Sequence, residues 1–199
     1  KPFGAQKRAA FLAKLGSTGS QLGYSTFLAV NSGAYAVAVG PAGDVCLVGR
    51  TSATDLPTTL DAWQPTAGAR TYGTLDGFFA RFDGNSGTLL YATYLAGDND
   101  DGAFGVTVDD VGAAYVSGYT ASSDFPITIG TRPPGYNAFL VKFGPQDGKP
   151  VYATLIPGSI IGYSIAVDSA HQAYVVGWGP IESIDAKVAR ISADGSSVL

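Results

Sequence analysis

The chain has 199 residues, of which 46% are hydrophobic and 14% charged, and this composition excludes a disordered protein. The net charge is −4 and no basic cluster occurs beyond Lys7 and Arg8, which argues against a groove for nucleic acid. The 27 glycines and 11 tyrosines indicate strands separated by tight turns, and therefore an all-β fold.

One sequence pattern recurs three times along the chain, at residues 10–29, 77–96 and 138–157. Each copy carries two short apolar runs joined by a glycine-containing turn, which predicts a β-hairpin. The first run of each copy ends near a basic residue: Lys14, Arg81 or Lys142. We expect the aliphatic stems of these residues to lie along the sheet and their charged ends to reach solvent or a backbone carbonyl.

A second predicted hairpin follows each of the first, at residues 34–52, 103–121 and 162–180. The copies superpose on two sets of anchors, which are Val39, Val108 and Val167, and then Gly49, Gly118 and Gly177. A fourth copy begins at residues 186–199. We therefore predict tandem units at about 10–76, 77–137 and 138–185, a partial unit at 186–199, and an N-terminal arm at 1–9.

The repeat predicts a β-propeller built of four-stranded antiparallel meander blades, with about three and a half blades present. A single meander cannot bury both of its faces, and radial stacking of blades covers them. Residues 34–39, 103–108 and 162–167 are rich in small side chains, so we expect them to be equivalent innermost strands. A β-sandwich is the alternative, since short strands with regular turns suit it as well. Cys46 excludes an internal disulfide or a cysteine zinc cage, and we expect it to be buried in a strand.

Several motifs of the second copy resemble the repeats of a bacterial β-propeller family, the SBBP-type repeats. They are the segments 79–83, 90–95, 106–109 and 114–120, followed by Asp124-Phe125-Pro126, which is echoed by Asp55-Leu56-Pro57. The resemblance covers roughly residues 10–199. It implies a secreted, periplasmic or surface-exposed bacterial protein, and the family carries no catalytic residues common to its members.

The chain departs from this family pattern in two places. The third copy lacks the Asp-x-Pro loop and runs through Gly179 to Ile184 into the fourth copy, and the first copy has a longer insertion from Leu60 to Asp76. Closed propellers use four to eight blades. We therefore expect the remainder of the ring to come from the same polypeptide or from another protein chain.

An acidic loop is the candidate metal site, and its residues are Asp98, Asn99, Asp100 and Asp101. Calcium takes several oxygen ligands, and three carboxylates with one amide could supply them. The spacing differs from that of an EF-hand, because Gly102 stands at the fifth position of the loop. The alternative is a solvated loop that ends a strand.

For several other polar and aromatic residues, the sequence is consistent with either a structural or a functional role. His171, the only histidine, lies in a turn, and Asp109 and Asp168 follow the inner strand in two copies, where each is expected to start a turn. A carboxylate pair of this kind could instead serve as acid and base. Trp63, Trp178 and Tyr119 are expected to pack between blades, with a sugar-stacking platform as the alternative.

The sequence therefore predicts a non-catalytic extracytoplasmic scaffold that mediates protein–protein interaction, with no catalytic and no cofactor-binding residues. Its partners are expected to be other protein chains or the remainder of the same polypeptide. A carbohydrate- or calcium-binding module is the alternative function, with a glycan or Ca²⁺ as its ligand. A glycosidase or lyase is the third functional hypothesis.

Overall fold

A computed structural model describes residues 8–69, 73–145, 149–159, 161–179 and 185–199. Within these ranges the chain forms thirteen β-strands and no helix, so no helix there is long and apolar enough to cross a membrane. The all-β prediction is confirmed. Several predicted segments lie partly outside these ranges: residues 1–7 of the arm, residues 70–72 of the insertion in the first copy, residues 146–148 of the hairpin at 138–157, and residues 180–184 of the segment that joins the third and fourth copies.

The strands form four antiparallel sheets in chain order. The first sheet contains β1 (Ala9–Leu15) and β2 (Leu22–Val30). The second contains β3 (Ser32–Val39), β4 (Val45–Thr51), β5 (Asp76–Phe82) and β6 (Leu89–Leu95). The third contains β7 (Asp101–Val108), β8 (Ala114–Thr120), β9 (Asn137–Phe143) and β10 (Pro150–Ile156). The fourth contains β11 (Ile161–Val167), β12 (Ala173–Trp178) and β13 (Ala186–Ile191).

The second, third and fourth sheets each join strands from two consecutive sequence units. In the second sheet, β3 and β4 come from the first unit, whereas β5 and β6 come from the next. From the second unit onward, the strands that open a sequence unit therefore extend a sheet that the preceding unit began. Successive units are tied together by backbone hydrogen bonds between β4 and β5 and between β8 and β9 as well as by side-chain packing.

The three predicted inner strands are equivalent in the structure. Each of β3, β7 and β11 is the first strand of its sheet, and β7 contacts both β3 and β11. The valine anchors hold the same register position, because Val39 pairs with Val45 and Val108 pairs with Ala114. Val167 pairs with Ala173 in the same way. The predicted equivalence of the three strands is confirmed, and their innermost position in a propeller stays a prediction.

A β-bulge in each inner strand explains the glycine anchors. The pairing register shifts between Ala34 and Ala36, and it shifts at the equivalent positions of β7 and β11. Opposite the bulge, a Cβ atom on Gly49 would lie 1.9 Å from the carbonyl oxygen of Gly33. Gly118 and Gly177 meet the same obstruction, at 1.9 and 1.7 Å. Only glycine fits opposite this bulge.

The core lies between facing sheets. Between the second and third sheets Phe79 stacks on Phe143, with ring centroids 4.6 Å apart, and both side chains are buried. Cys46 is fully buried in this cluster, as expected, and burial raises the pKa of its thiol to about 11. The two Asp-x-Pro loops also contribute side chains to the core. The middle residue of each loop, Leu56 or Phe125, packs among the buried side chains.

The matched basic residues connect successive sheets. The Lys14 ammonium of the first sheet donates to the Gly84 carbonyl of the second at 2.7 Å. Arg81 of the second sheet donates to the Gly144 carbonyl of the third at 3.2 Å. For these two residues the expected contact with a backbone carbonyl is confirmed. Lys142 differs, because its ammonium lies 4.7 Å from the centroid of the Tyr115 ring.

Candidate functional site

The acidic loop joins β6 to β7, and its carboxylates accept hydrogen bonds from other groups of the protein. Asp98 accepts the Ser123 amide at 2.8 Å and the Ser123 hydroxyl at 2.7 Å. Asp100 forms an ion pair with Arg50 at 2.6 Å and also accepts the Tyr119 hydroxyl. The Asn99 side-chain oxygen accepts the Asp100 amide at 2.9 Å. These bonds fix the loop through protein groups alone, and calcium binding there stays a prediction.

Asp101 differs from the rest of the loop because it is fully buried at the start of β7. It accepts the Gly97 amide at 2.7 Å and the Ser122 hydroxyl at 2.8 Å. Burial raises the pKa of its carboxyl to about 7, and the nearby Asp76 carboxyl raises it further, whereas the hydrogen bonds lower it. Asp101 is therefore a buried group that takes up a proton near neutral pH.

This shift predicts a pH dependence of stability. Because the folded protein holds the Asp101 proton up to about pH 7 and the unfolded chain only to its ordinary value of 3.8, the free energy of unfolding should fall as the pH rises between these limits. Urea unfolding at pH 5 and pH 8 measures the fall. Asp101→Asn should remove most of it. An Asp101→Asn protein with the same pH dependence as the parent would contradict the assignment.

Asp109 and Asp168 organise equivalent turns in neighbouring sheets. Asp109 Oδ1 accepts the Ala113 amide at 2.7 Å, and Asp168 Oδ1 accepts the Gln172 amide at 2.9 Å. Their second oxygens accept tyrosine hydroxyls, from Tyr115 at 3.1 Å and from Tyr174 at 3.0 Å. The predicted role of both residues as turn-starting side chains is confirmed, and each carboxylate accepts hydrogen bonds from its own turn and from the strand that follows.

His171 lies in the turn between β11 and β12, as expected, but its ring contacts the neighbouring turn. Its Nδ1 atom is 3.1 Å from Asp109 Oδ2 and 3.8 Å from Asp110 Oδ1. One ligating atom from each of the three residues lies within 4.8 Å of the others. We call Asp109, Asp110 and His171 the inter-turn cluster. It brings together donors from two different sheets.

The bulges place aromatic residues side by side on the three inner strands. The bulged residues are Tyr35, Phe104 and Tyr163, and their ring centroids are 5.1 and 5.7 Å apart in succession. Trp178 extends this row, with its ring 5.5 Å from that of Tyr163, and Tyr119 stacks on Phe104 at 5.8 Å. Tyr35, Tyr163 and Trp178 are about half exposed.

The three aromatic residues singled out from the sequence thus lie in two different clusters. Trp178 and Tyr119 belong to the aromatic row on the inner strands. Trp63 instead packs edge-on against Phe143 at 6.3 Å, at the border of the core between the second and third sheets. Trp63 therefore has the packing role that was expected of it, whereas the exposed rings of the row are available to a ligand.

No protein-family model matches the chain, and no curated protein matches it.

Two features of these sites were missed by reasoning from the sequence. The aromatic row depends on bulges, and the only signal for them is that a large ring interrupts three otherwise small-residue strands at the same position. The inter-turn cluster had a clearer signal, because His171 aligns with Gly43 and Gly112. A histidine in a position that is otherwise glycine is the kind of exception that suggests a function.

Proposed function

We propose that the chain forms blades of a bacterial β-propeller that acts as a non-catalytic, extracytoplasmic scaffold for protein–protein interaction. The adjacent first strands and the repeated meander sheets support the propeller arrangement. The resemblance to the SBBP-type repeats supports the location outside the bacterial cytoplasm. The partner would be a further sheet of the same kind, from the same polypeptide or from another chain.

The observation that carries this proposal is a difference in exposure between equivalent residues. Phe11 and Phe27 form a cross-strand pair on the first sheet and are 60% and 72% exposed. Their equivalents on the second sheet, Phe78 and Tyr94, are 0% and 1% exposed because the first sheet covers them. The same face is thus buried wherever a preceding sheet is present.

The fourth sheet has the complementary exposed face. Val176 and Val188 are 41% and 70% exposed, whereas their equivalents on the second sheet, Val48 and Phe79, are 0% and 1% exposed. The third sheet covers Val48 and Phe79. Contiguous apolar surface of this kind is characteristic of an interaction site. A four-stranded sheet fits either face in the way that the second and third sheets fit each other.

The edge of the first sheet also accepts a strand. In the part of the chain that the structure describes, β1 pairs only with β2, whereas its equivalent β5 pairs with both β4 and β6. A groove of about 570 Å³ lies beside this edge, between β1 and β3. An added strand would gain backbone hydrogen bonds from β1 and apolar contacts from the groove.

The experiment that tests the proposal is Phe27→Ser in the purified chain. Loss of one fully buried phenylalanine from an interface should weaken association by about 2 kcal/mol, roughly thirtyfold in the dissociation constant. Sedimentation velocity over a range of protein concentrations measures the self-association that open apolar faces produce. Leu60→Ser is the matched control, because Leu60 is fully exposed and lies outside both faces.

Two results would overturn the scaffold proposal. The first is a parent chain that stays monomeric at every concentration and gains no partner when a longer stretch of the polypeptide is added. The second is binding of glycans from an array that Tyr163→Ala abolishes, with no effect of Phe27→Ser on any assembly. The second result would instead favour carbohydrate recognition by the aromatic row.

A further inference from the structure

One turn in the fourth sheet departs from its two equivalents. Gly43 and Gly112 occupy the left-handed region, at φ 84° and 89°, and His171 occupies the same region at φ 58°. Glycine adopts this conformation freely, whereas a residue with a Cβ atom is less stable in it. The imidazole at this position extends to two carboxylates of the neighbouring sheet.

We propose that the inter-turn cluster of Asp109, Asp110 and His171 binds a divalent transition-metal ion of the Zn²⁺ class. One imidazole nitrogen and two carboxylate oxygens are the ligand types that such an ion takes in proteins. Ca²⁺ and Mg²⁺ prefer oxygen ligands only, so the imidazole argues against them. The site would bridge the turn between β7 and β8 and the turn between β11 and β12.

The distance between His171 and Asp109 suits a small ion. Ligands that lie about 2.0–2.1 Å from Zn²⁺ are roughly 2.8–3.4 Å from one another at angles between 90° and 109°. His171 Nδ1 is already 3.1 Å from Asp109 Oδ2. The 3.8 Å between His171 Nδ1 and Asp110 Oδ1 needs only a small movement of Asp110, whose side chain is 77% exposed. The ion would replace the hydrogen bond between His171 and Asp109.

Hydrogen bonds from residues outside the cluster orient the Asp109 carboxylate. Its Oδ1 atom accepts the amides of Val111 and Ala113, and its Oδ2 atom accepts the Tyr115 hydroxyl at 3.1 Å. The side chain is almost completely buried, so these bonds set its orientation before any ion arrives. Such outer contacts are what orient the carboxylate ligands of metal sites. Water would complete the coordination on the exposed side, next to Asp110.

The test uses ZnCl₂ with the chelator-treated chain, measured by isothermal titration calorimetry and by thermal unfolding. Zn²⁺ in hundredfold excess over its dissociation constant should raise the unfolding temperature by roughly 5 °C. His171→Gly removes one ligand and restores the residue type found in the other two turns, so it should fold normally. Its Zn²⁺ affinity should fall by about a hundredfold, because one of three protein ligands is lost.

Two further variants make the result specific. Asp110→Asn should weaken Zn²⁺ binding at least about tenfold, since the exposed carboxylate contributes negative charge to the site. Asp83→Asn, in the turn between β5 and β6 of the second sheet, removes a turn carboxylate away from the cluster, so it is the matched control and should leave the Zn²⁺ affinity unchanged. The proposal is wrong if the parent chain gains no thermal stability with Zn²⁺, if His171→Gly binds Zn²⁺ as the parent does, or if Ca²⁺ binds as tightly as Zn²⁺.

Discussion

Replacing Gly118 by alanine is expected to destabilise the protein by about 3 kcal/mol or more. A Cβ atom there would lie 1.9 Å from the Gly102 carbonyl oxygen and 2.7 Å from the Phe139 ring. The carbonyl belongs to the bulged strand β7 and cannot move without breaking its pairing with β8. The buried ring has no free space to move into.

Urea unfolding followed by tryptophan fluorescence measures this effect. Gly16→Ala is the matched control, because a Cβ atom at Gly16 would meet its nearest neighbour at an ordinary 3.6 Å. The control should change the free energy of unfolding by less than about 1 kcal/mol. If Gly118→Ala were as stable as Gly16→Ala, the close approach of strand β7 to Gly118 would be disproved.

Arg81→Ala should destabilise the protein by about 3–5 kcal/mol, because it removes one partner of a buried charged network. The side chain is 6% exposed and forms an ion pair with Asp44 at 3.4 Å. Its guanidinium also donates to the carbonyl groups of Gly112, Gly144 and Pro145 in the third sheet. Without it, Asp44 loses its positive partner and three carbonyls lose a donor.

The equivalent residue of the first sheet provides the comparison for Arg81. Lys14 makes one hydrogen bond to a carbonyl of the next sheet and is itself exposed, so Lys14→Ala should cost roughly 1 kcal/mol or less. Chemical denaturation of the two variants, under identical conditions, gives the difference. Equal effects of the two substitutions would show that burial of the Arg81 network adds nothing to the link between sheets.

The strands and their equivalence were predictable because short-range patterns encode them. Alternating apolar residues and glycine turns specify hairpins locally, and repetition of the pattern identifies positions such as Val39 and Val108 as equivalent. The burial of Cys46 and the turn role of Asp109 follow from local chemistry in the same way. These predictions needed no knowledge of how one sheet faces another.

The features that were not predictable depend on contacts between sheets. The bulge at Tyr35 follows from backbone pairing that a residue pattern does not record. His171 and Asp109 are 62 residues apart in sequence, and only the packing of two turns brings them together. The acidic loop showed its carboxylates in the sequence, but not the donors such as Ser123 that bind them.

The offset between sequence units and sheets has a consequence for how such a chain can lengthen or shorten. If a whole unit such as residues 77–137 were deleted, β4 would be followed by β9, and the hairpin of β3 and β4 would still meet a hairpin that can complete its sheet. Unequal recombination at matching points of two units therefore leaves each sheet between the first and the last with four strands. Gene duplication or deletion can therefore change the number of sheets one at a time, and no intermediate chain has an interrupted sheet between its first and last sheets.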